Sequence, residues 1–220
     1  MNLDDAQVPV LIRATNLGVR IGTRPVLSGV DLVAAPGRVL VVTGPAGSGK
    51  TTLLHVLAGL ISSTEGEVSV NGVSPPAYGA EHLRLGFVPQ TFGLAAALSA
   101  AENVALPLQL LRLPRDEVAT RVDAMLAELG MENAGGQLST ELSGGQQQRT
   151  AVGRALVAEP SIVIADEPTS ELDAVSRDLV FSLLRAASRR GATVVVATHD
   201  PDLLERCDDI VSLHDGRAVI

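Results

Sequence analysis

Gly44-Pro45-Ala46-Gly47-Ser48-Gly49-Lys50-Thr51 matches the pattern G-x-x-x-x-G-K-[ST] at every fixed position. Its flanks decide how it reads. Before it runs Arg38-Val39-Leu40-Val41-Val42-Thr43, a short, apolar, β-branched stretch that predicts a buried strand. After it, Thr52-Leu53-Leu54-His55-Val56-Leu57-Ala58-Gly59-Leu60 places apolar residues at helical spacing. Strand, glycine-rich loop and helix form the context that a phosphate-binding loop requires. The glycines let the backbone curl into a nest of N–H donors, and the helix N-terminus adds partial positive charge. Lys50 is placed to reach β- and γ-phosphates, and the Thr51 hydroxyl to ligate Mg²⁺.

Two further stretches bear on the same chemistry. Ile162-Val163-Ile164-Ala165 leads into Asp166-Glu167, an apolar strand ending in two carboxylates. Neighbouring strand residues point to opposite sides, so the two acids are expected to take different roles. Asp166 suits a Mg²⁺ ligand, and Glu167 suits the group that deprotonates a water attacking the γ-phosphate. Leu142-Ser143-Gly144-Gly145-Gln146 combines a good N-cap, Ser143, with two glycines that leave N–H groups open at a helix start. It is a second anion site on the same chain, and it makes sense if it closes over a nucleotide held by another copy.

Composition sets the outer bounds. The chain has 220 residues, 46% of them hydrophobic, enough for one large core or a core with an appended lobe. A net charge of -8 argues against nucleic acid as a partner, since phosphate backbones are bound by excess Lys and Arg. Cys207 is the single cysteine, which excludes an internal disulfide and suits a reducing compartment. No apolar run approaches the roughly 18–20 residues that span a bilayer. The N-terminus Met1-Asn2-Leu3-Asp4-Asp5 lacks the features of a signal peptide. The expectation is a cytoplasmic chain whose membrane role, if any, comes through a partner.

Along the chain, residues 1–9 read as a tail. Val10 to Val19 and Val26 to Val33 read as antiparallel strands joined by a turn at Gly22-Thr23-Arg24-Pro25. Asn71-Gly72 closes a further strand, Glu67 to Val70, and another runs from Leu85 to Pro89. Between residues 91 and 158 the periodicity is helical. Val118, Val122, Met125, Leu126 and Leu129 mark one face of a helix opened by Pro114. Strands return at Ser161 to Ala165 and Ala192 to Ala197, both near-continuous apolar runs, as in a parallel sheet covered on both faces. Asp173 is the expected N-cap of the helix between them, and Gly191 its stop. The expected fold is α/β: a P-loop NTPase core with a mostly parallel sheet, an N-terminal antiparallel β subdomain and a helical lobe. Residues 10–90 and 159–220 would form the core, and 91–158 the lobe.

With these motifs in hand, the chain resembles the ATP-binding subunits of ABC transporters over its whole length after residue 10. The resemblance implies that Gly44 through Thr52 hold the nucleotide phosphates, Asp166 the Mg²⁺ ion, and Glu167 the catalytic base. It implies that Leu142 to Gln146 is the family signature, so that Ser143, Gly144, Gly145 and Gln146 contact ATP bound by a second copy. It assigns Gln90 as the loop glutamine that senses Mg²⁺ and the attacking water. Ser170-Glu171-Leu172-Asp173 falls on the dimer-contact loop, and His199 on the γ-phosphate switch. ATP and Mg²⁺ are the implied cofactors. The implied partners are a second ATPase chain, as homodimer or pseudo-dimer, and an integral-membrane permease docked near residues 91–111. The implied location is the inner face of the cell membrane.

Ala101-Glu102-Asn103-Val104-Ala105-Leu106-Pro107-Leu108 and Ile164-Ala165-Asp166-Glu167-Pro168-Thr169 resemble the lipoprotein-release, macrolide-export and cell-division branch. Three departures stand out: Ile21 where the family places an aromatic against adenine, Ser170-Glu171 where the branch carries Gly-Asn, and an alanine-rich stretch after Gln90. A cell-division-type ATPase, driving a membrane protein that controls cell-wall enzymes, is the alternative reading. Chromosome-maintenance ATPases insert long coiled coils before the signature, and no sustained heptads lie between Thr51 and Leu142.

Overall fold

A computed structural model of the chain describes residues 11–73 and 84–219. The tail, residues 1–9, lies outside the described residues. Strands β1 (Ile12–Ile21), β2 (Arg24–Ala34) and β4 (Glu65–Val70) form a three-stranded antiparallel sheet in the order β2-β1-β4. The β1–β2 turn is shorter than expected. Ile21 pairs directly with Arg24, so only Gly22 and Thr23 are free. Gly22 adopts φ +60°, the left-handed conformation a two-residue hairpin asks for, and Arg20 Nη2 donates to the Thr23 carbonyl at 2.6 Å. Pro25 joins β2 rather than the turn, which an edge strand tolerates because its missing N–H takes no second neighbour.

The second sheet has six strands in the order β5-β6-β7-β3-β8-β9. Their ranges are β3 (Val39–Thr43), β5 (Leu85–Val88), β6 (Ile162–Asp166), β7 (Thr193–Ala197), β8 (Asp209–His214) and β9 (Arg217–Val219). All neighbours are parallel except β8 and β9. Every residue of β6 and β7 is buried, which is why their sequences run apolar without alternation. The pleat divides the core in two. Leu40, Val42, Ile162, Ile164 and Val195 face α1 (Lys50–Leu57) and the antiparallel sheet. Val39, Val41, Val163, Val194 and Val196 face α4 (Gly144–Leu156) and α5 (Ala174–Arg189).

Helices α2 (Ala100–Leu110), α3 (Arg115–Glu128) and α4 enclose a third cluster built on Val104, Leu108, Val122, Leu126, Leu129 and Met131. The face foreseen on α3 is the one that packs: Val122, Leu126 and Leu129 are buried, Val118 and Met125 partly so. Ser99 and Glu102 close a capping box at the start of α2, a signal legible in the sequence as S-x-x-E. Asp173 caps α5, accepting from Ser176 N at 2.9 Å, as expected. A final short helix, α6 (Pro201–Arg206), leads into β8. Arg154 of α4 donates to the carbonyls of Phe92 (3.0 Å) and Gly93 (2.7 Å), pinning the loop that follows Gln90 to the far end of the signature helix. Among the described residues, no helix is long and apolar enough to cross a membrane.

Candidate functional site

The phosphate-binding loop leaves the end of β3 and enters α1 at Lys50, with Gly49 as N-cap. Two of its glycines are dictated by close approach. Gly44 has φ +143°, and a Cβ there would stand 2.1 Å from the Leu213 carbonyl oxygen of β8. Gly49 has φ +102°, and a Cβ would stand 2.7 Å from Leu27 Cδ2 of the hairpin. The loop is therefore wedged between β8 and β2, and any side chain at these positions would force it out. Gly216 strengthens the wedge: its N–H donates to Ser48 O (3.1 Å), and its carbonyl accepts from Ser28 N (2.8 Å).

The functional side chains come from four strand ends, with Gln90 following β5 and the others following β3, β6 and β7. Lys50 Nζ donates to the carbonyls of Gly44 (2.8 Å) and Pro45 (3.2 Å), so the ammonium lies over the loop itself. Thr51 Oγ1 donates to Asp166 Oδ2 at 2.7 Å, which joins α1 to the end of β6. Asp166 is 2% exposed. Burial is the main cause pushing its carboxyl above the usual aspartate range, opposed by the Thr51 hydrogen bond and reinforced by the neighbouring charge of Glu167.

Glu167 diverges from Asp166, as the sequence foretold, but for a different reason. It lies one residue past β6 with φ +48°, and its N–H donates to Ala197 O at the end of β7. This left-handed kink, rather than pleat alternation, aims its side chain. Thr198 Oγ1 donates to Glu167 Oε2 at 3.1 Å, and His199 Nδ1 lies 2.9 Å from Oε1. Two consecutive residues at the end of β7 thus hold one carboxylate.

These groups line one cleft of about 1000 Å³. It brings together Ile21, Pro45, Ala46, Gly47, Lys50, Thr51, Thr52, Gln90, Asp166, Glu167 and His199 from positions far apart in the sequence. Ser143 to Gln146 are not among its walls. Ser143 instead caps α4, accepting from Gln146 N at 3.3 Å, while Gln146 Oε1 accepts from Ser143 N at 2.9 Å. Ser143 and Gly144 are exposed, so this helix start faces outward. Leu172 and the Glu171 carbonyl of the loop after Glu167 lie beside Gly145.

Sequence reasoning missed several residues that the fold brings in. Arg24, Val26, Asp215 and Gly216 line the cleft, as does Ser170 of the expected dimer-contact loop, and Thr198 holds the Glu167 carboxylate. Asp215-Gly216 carries a legible signal, being a turn pair between two short strands, with both residues at positive φ. Arg24 and Thr198 carry none, since nothing local sets them apart.

The ABC transporter family model matches residues 27–170, from the hairpin through the phosphate-binding loop and signature to the loop after Glu167. The chain belongs to the ABC transporter family. It is an ATP-binding subunit of that family, an ATPase. The lipoprotein-releasing system ATP-binding protein LolD of Anaeromyxobacter dehalogenans is 42% identical over 203 residues, 89% of this chain and 85% of that one. The macrolide export ATP-binding/permease protein MacB of Rhodospirillum rubrum is 39% identical over 199 residues, which cover 88% of this chain and 31% of that protein. Among solved structures, the ATP-binding cassette MJ0796, a dimer in a post-hydrolysis state bound to ADP and Pi, superposes with a TM-score of 0.86 at 32% identity. The match covers 95% of this ABC subunit and 97% of that chain.

Proposed function

We propose that this chain pairs with a second ATPase chain around two ATP molecules and hydrolyses them to drive a membrane permease. The observation that carries the reading is the division of the functional residues. One cleft gathers Lys50, Thr51, Asp166, Glu167, His199 and Gln90, while the start of α4, where the Ser143–Gln146 capping box leaves the Gly144 and Gly145 N–H groups uncapped, lies on a different surface with Ser143 and Gly144 exposed. A chain with half a nucleotide site on each of two surfaces is completed by another copy, and the related cassette MJ0796 is a dimer.

The chain's own residues account for the steps. A γ-phosphate oxygen replaces the loop carbonyls as partner of Lys50 Nζ. Thr51 and Asp166 already share a hydrogen bond, so two hard oxygen donors from different elements lie side by side, the donor set that Mg²⁺ takes. Bound there, Mg²⁺ would neutralise charge on the β- and γ-phosphates. Among the described residues no group of three or more His, Cys, Asp and Glu forms a protein cage, so phosphate oxygens and water would complete the coordination. Glu167 accepts a proton from the attacking water as the water oxygen bonds to the γ-phosphorus and the bond to the leaving oxygen of ADP breaks. His199 holds the glutamate and reaches the γ-phosphate; Gln90 positions the water and leads into the loop that Arg154 ties to α4. Residues 91–158 act as the lobe that passes this movement to the permease, at the inner face of the membrane. The names of the LolD and MacB relatives favour transport over a cell-wall signalling role.

Lys50→Ala and Ser143→Arg test the shared site. Lys50→Ala abolishes nucleotide binding to the isolated chain. Ser143→Arg leaves that binding intact but blocks ATP-dependent pairing in size-exclusion chromatography and hydrolysis with it. Equal loss of monomer binding in both variants would show that the signature belongs to the same site, against the two-copy model.

A further inference from the structure

The cleft has two unlike walls with the phosphate-binding loop between them. Thr51 is bonded to Asp166 on the catalytic wall, and Gly49 packs against Val26 and Leu27 of the β1–β2 hairpin on the other. On the ATP reading above, which this inference requires, the γ-phosphate lies beside Glu167 and the β-phosphate over Lys50. The nucleobase, at the opposite end of the molecule, is then directed to the hairpin wall, where Ile21, Arg24, Pro25 and Val26 line the cleft.

A base presents two flat π-faces that must be covered to be held. No Phe, Tyr or Trp is among the described residues that line the cleft. The three phenylalanines are engaged elsewhere: Phe87 lies against His55 with ring centres 5.8 Å apart, Phe92 packs on the α4–α5 core, and Phe181 lies under the Arg206 guanidinium at 4.4 Å. Tyr78, the single tyrosine, lies outside the described residues. Among the described residues, one planar side chain remains on the hairpin wall. Arg24 is exposed, pairs through its backbone across the turn with Ile21, and its side chain has no hydrogen bond or ion pair among the described residues. Its neighbour Arg20, by contrast, is tied to the Thr23 carbonyl.

We propose that Arg24 is the base-contacting residue of this nucleotide site, its guanidinium plane covering one face of the base while Ile21 supplies apolar contact beside it. A guanidinium is flat, weakly hydrated and cationic, and it stacks on π-systems where an ammonium does not. Stacking reads no base edge, so the contact serves ATP and GTP alike.

Calorimetric titration of the full chain with ATP, GTP and inorganic tripolyphosphate, in the presence of Mg²⁺, separates this contact from a phosphate contact. Arg24→Ala weakens ATP and GTP equally, by roughly fivefold, and leaves tripolyphosphate unchanged. Arg24→Lys keeps the charge without the plane and recovers less than half of the loss. Three outcomes would overturn the inference: unchanged nucleotide affinity in Arg24→Ala, full affinity in Arg24→Lys, or a parallel loss of tripolyphosphate. Lys50→Ala serves as control and loses all three ligands. A wild-type chain that binds none of them refutes the ATP reading and this inference together, whereas normal ATP binding with an indifferent Arg24 refutes the inference alone.

Discussion

Replacing Glu167 by glutamine isolates the proton-accepting role from every other contact the residue makes. The carboxylate receives the Thr198 hydroxyl at 3.1 Å and faces His199 Nδ1 at 2.9 Å, with 7% of the residue exposed. A glutamine in the same rotamer keeps both contacts: its carbonyl oxygen accepts from Thr198, and its amide donates to His199 Nδ1 when that nitrogen is unprotonated. The exchange replaces a hydrogen bond to a charged group by a neutral one, a loss of about 1 kcal/mol. Removing the Glu167 charge offsets part of that, because this charge is one of the causes that push Asp166 upward. Folding stability should therefore change by less than about 1 kcal/mol, or roughly 2–4 °C in Tm for a domain of this size. The base itself contributes roughly a hundredfold to ten-thousandfold, so turnover should fall by about three orders of magnitude, equivalent to about 4 kcal/mol in the barrier. Affinity for ATP should stay within about threefold of wild type, since no phosphate contact is lost. Phosphate release, nucleotide titration and a thermal melt read these three quantities separately. With hydrolysis stopped and binding intact, ATP should also trap a dimer visible by size exclusion. Hydrolysis at the wild-type rate would refute the assignment of Glu167 as base, whatever the dimer does.

The remaining expectations follow from neighbouring parts of the site. Gly44→Ala places a methyl group 2.1 Å from the Leu213 carbonyl at a φ of +143°, so the loop must leave β8; we expect a loss of about 3 kcal/mol or more, read as a drop in Tm, together with loss of ATP binding. Asp166 holds its proton to higher pH in the folded chain than in the unfolded one, so the folded state binds more protons in that window. The nucleotide-free protein should then lose stability as pH rises from the ordinary value of 3.8 through the displaced one, and Asp166→Asn should flatten that slope, raise the melting temperature at neutral pH and abolish stabilisation by Mg-ATP. Ile21 is 62% exposed on the cleft wall, and Ile21→Tyr should tighten ATP and GTP by similar, several-fold factors in a fluorescent-nucleotide titration; unchanged affinity would mean that residue 21 does not face the base or that another side chain already covers it.

The local patterns were self-sufficient because their chemistry is local. Gly44 to Thr51 needs only its own backbone freedom and the strand and helix on either side, and both flanks are read from apolar spacing over a few residues. The Asp173 cap, the α3 face and the antiparallel pairing of β1 with β2 were legible for the same reason: each is set by residues within a turn or a hairpin of one another. The boundaries were less so, and Arg24 and Pro25 passed from turn to strand because cross-strand pairing extends to Ile21.

Tertiary structure alone decided what each motif faces. That β3 lies between β7 and β8 is a fact of crossovers, which no short window of sequence contains, yet it brings Leu213 against Gly44 and makes that glycine obligatory. The left-handed kink at Glu167 accompanies the bond from its N–H to Ala197, thirty residues on, and it turns the Glu167 carboxylate toward Thr198 and His199. Arg24 reads in sequence as one more surface arginine. It becomes a candidate for the nucleotide only because the hairpin that carries it is packed against the phosphate-binding loop through Gly49 and Gly216. Contacts of that range are fixed by burial of the whole core, which is a property of the chain's packing and of no motif within it.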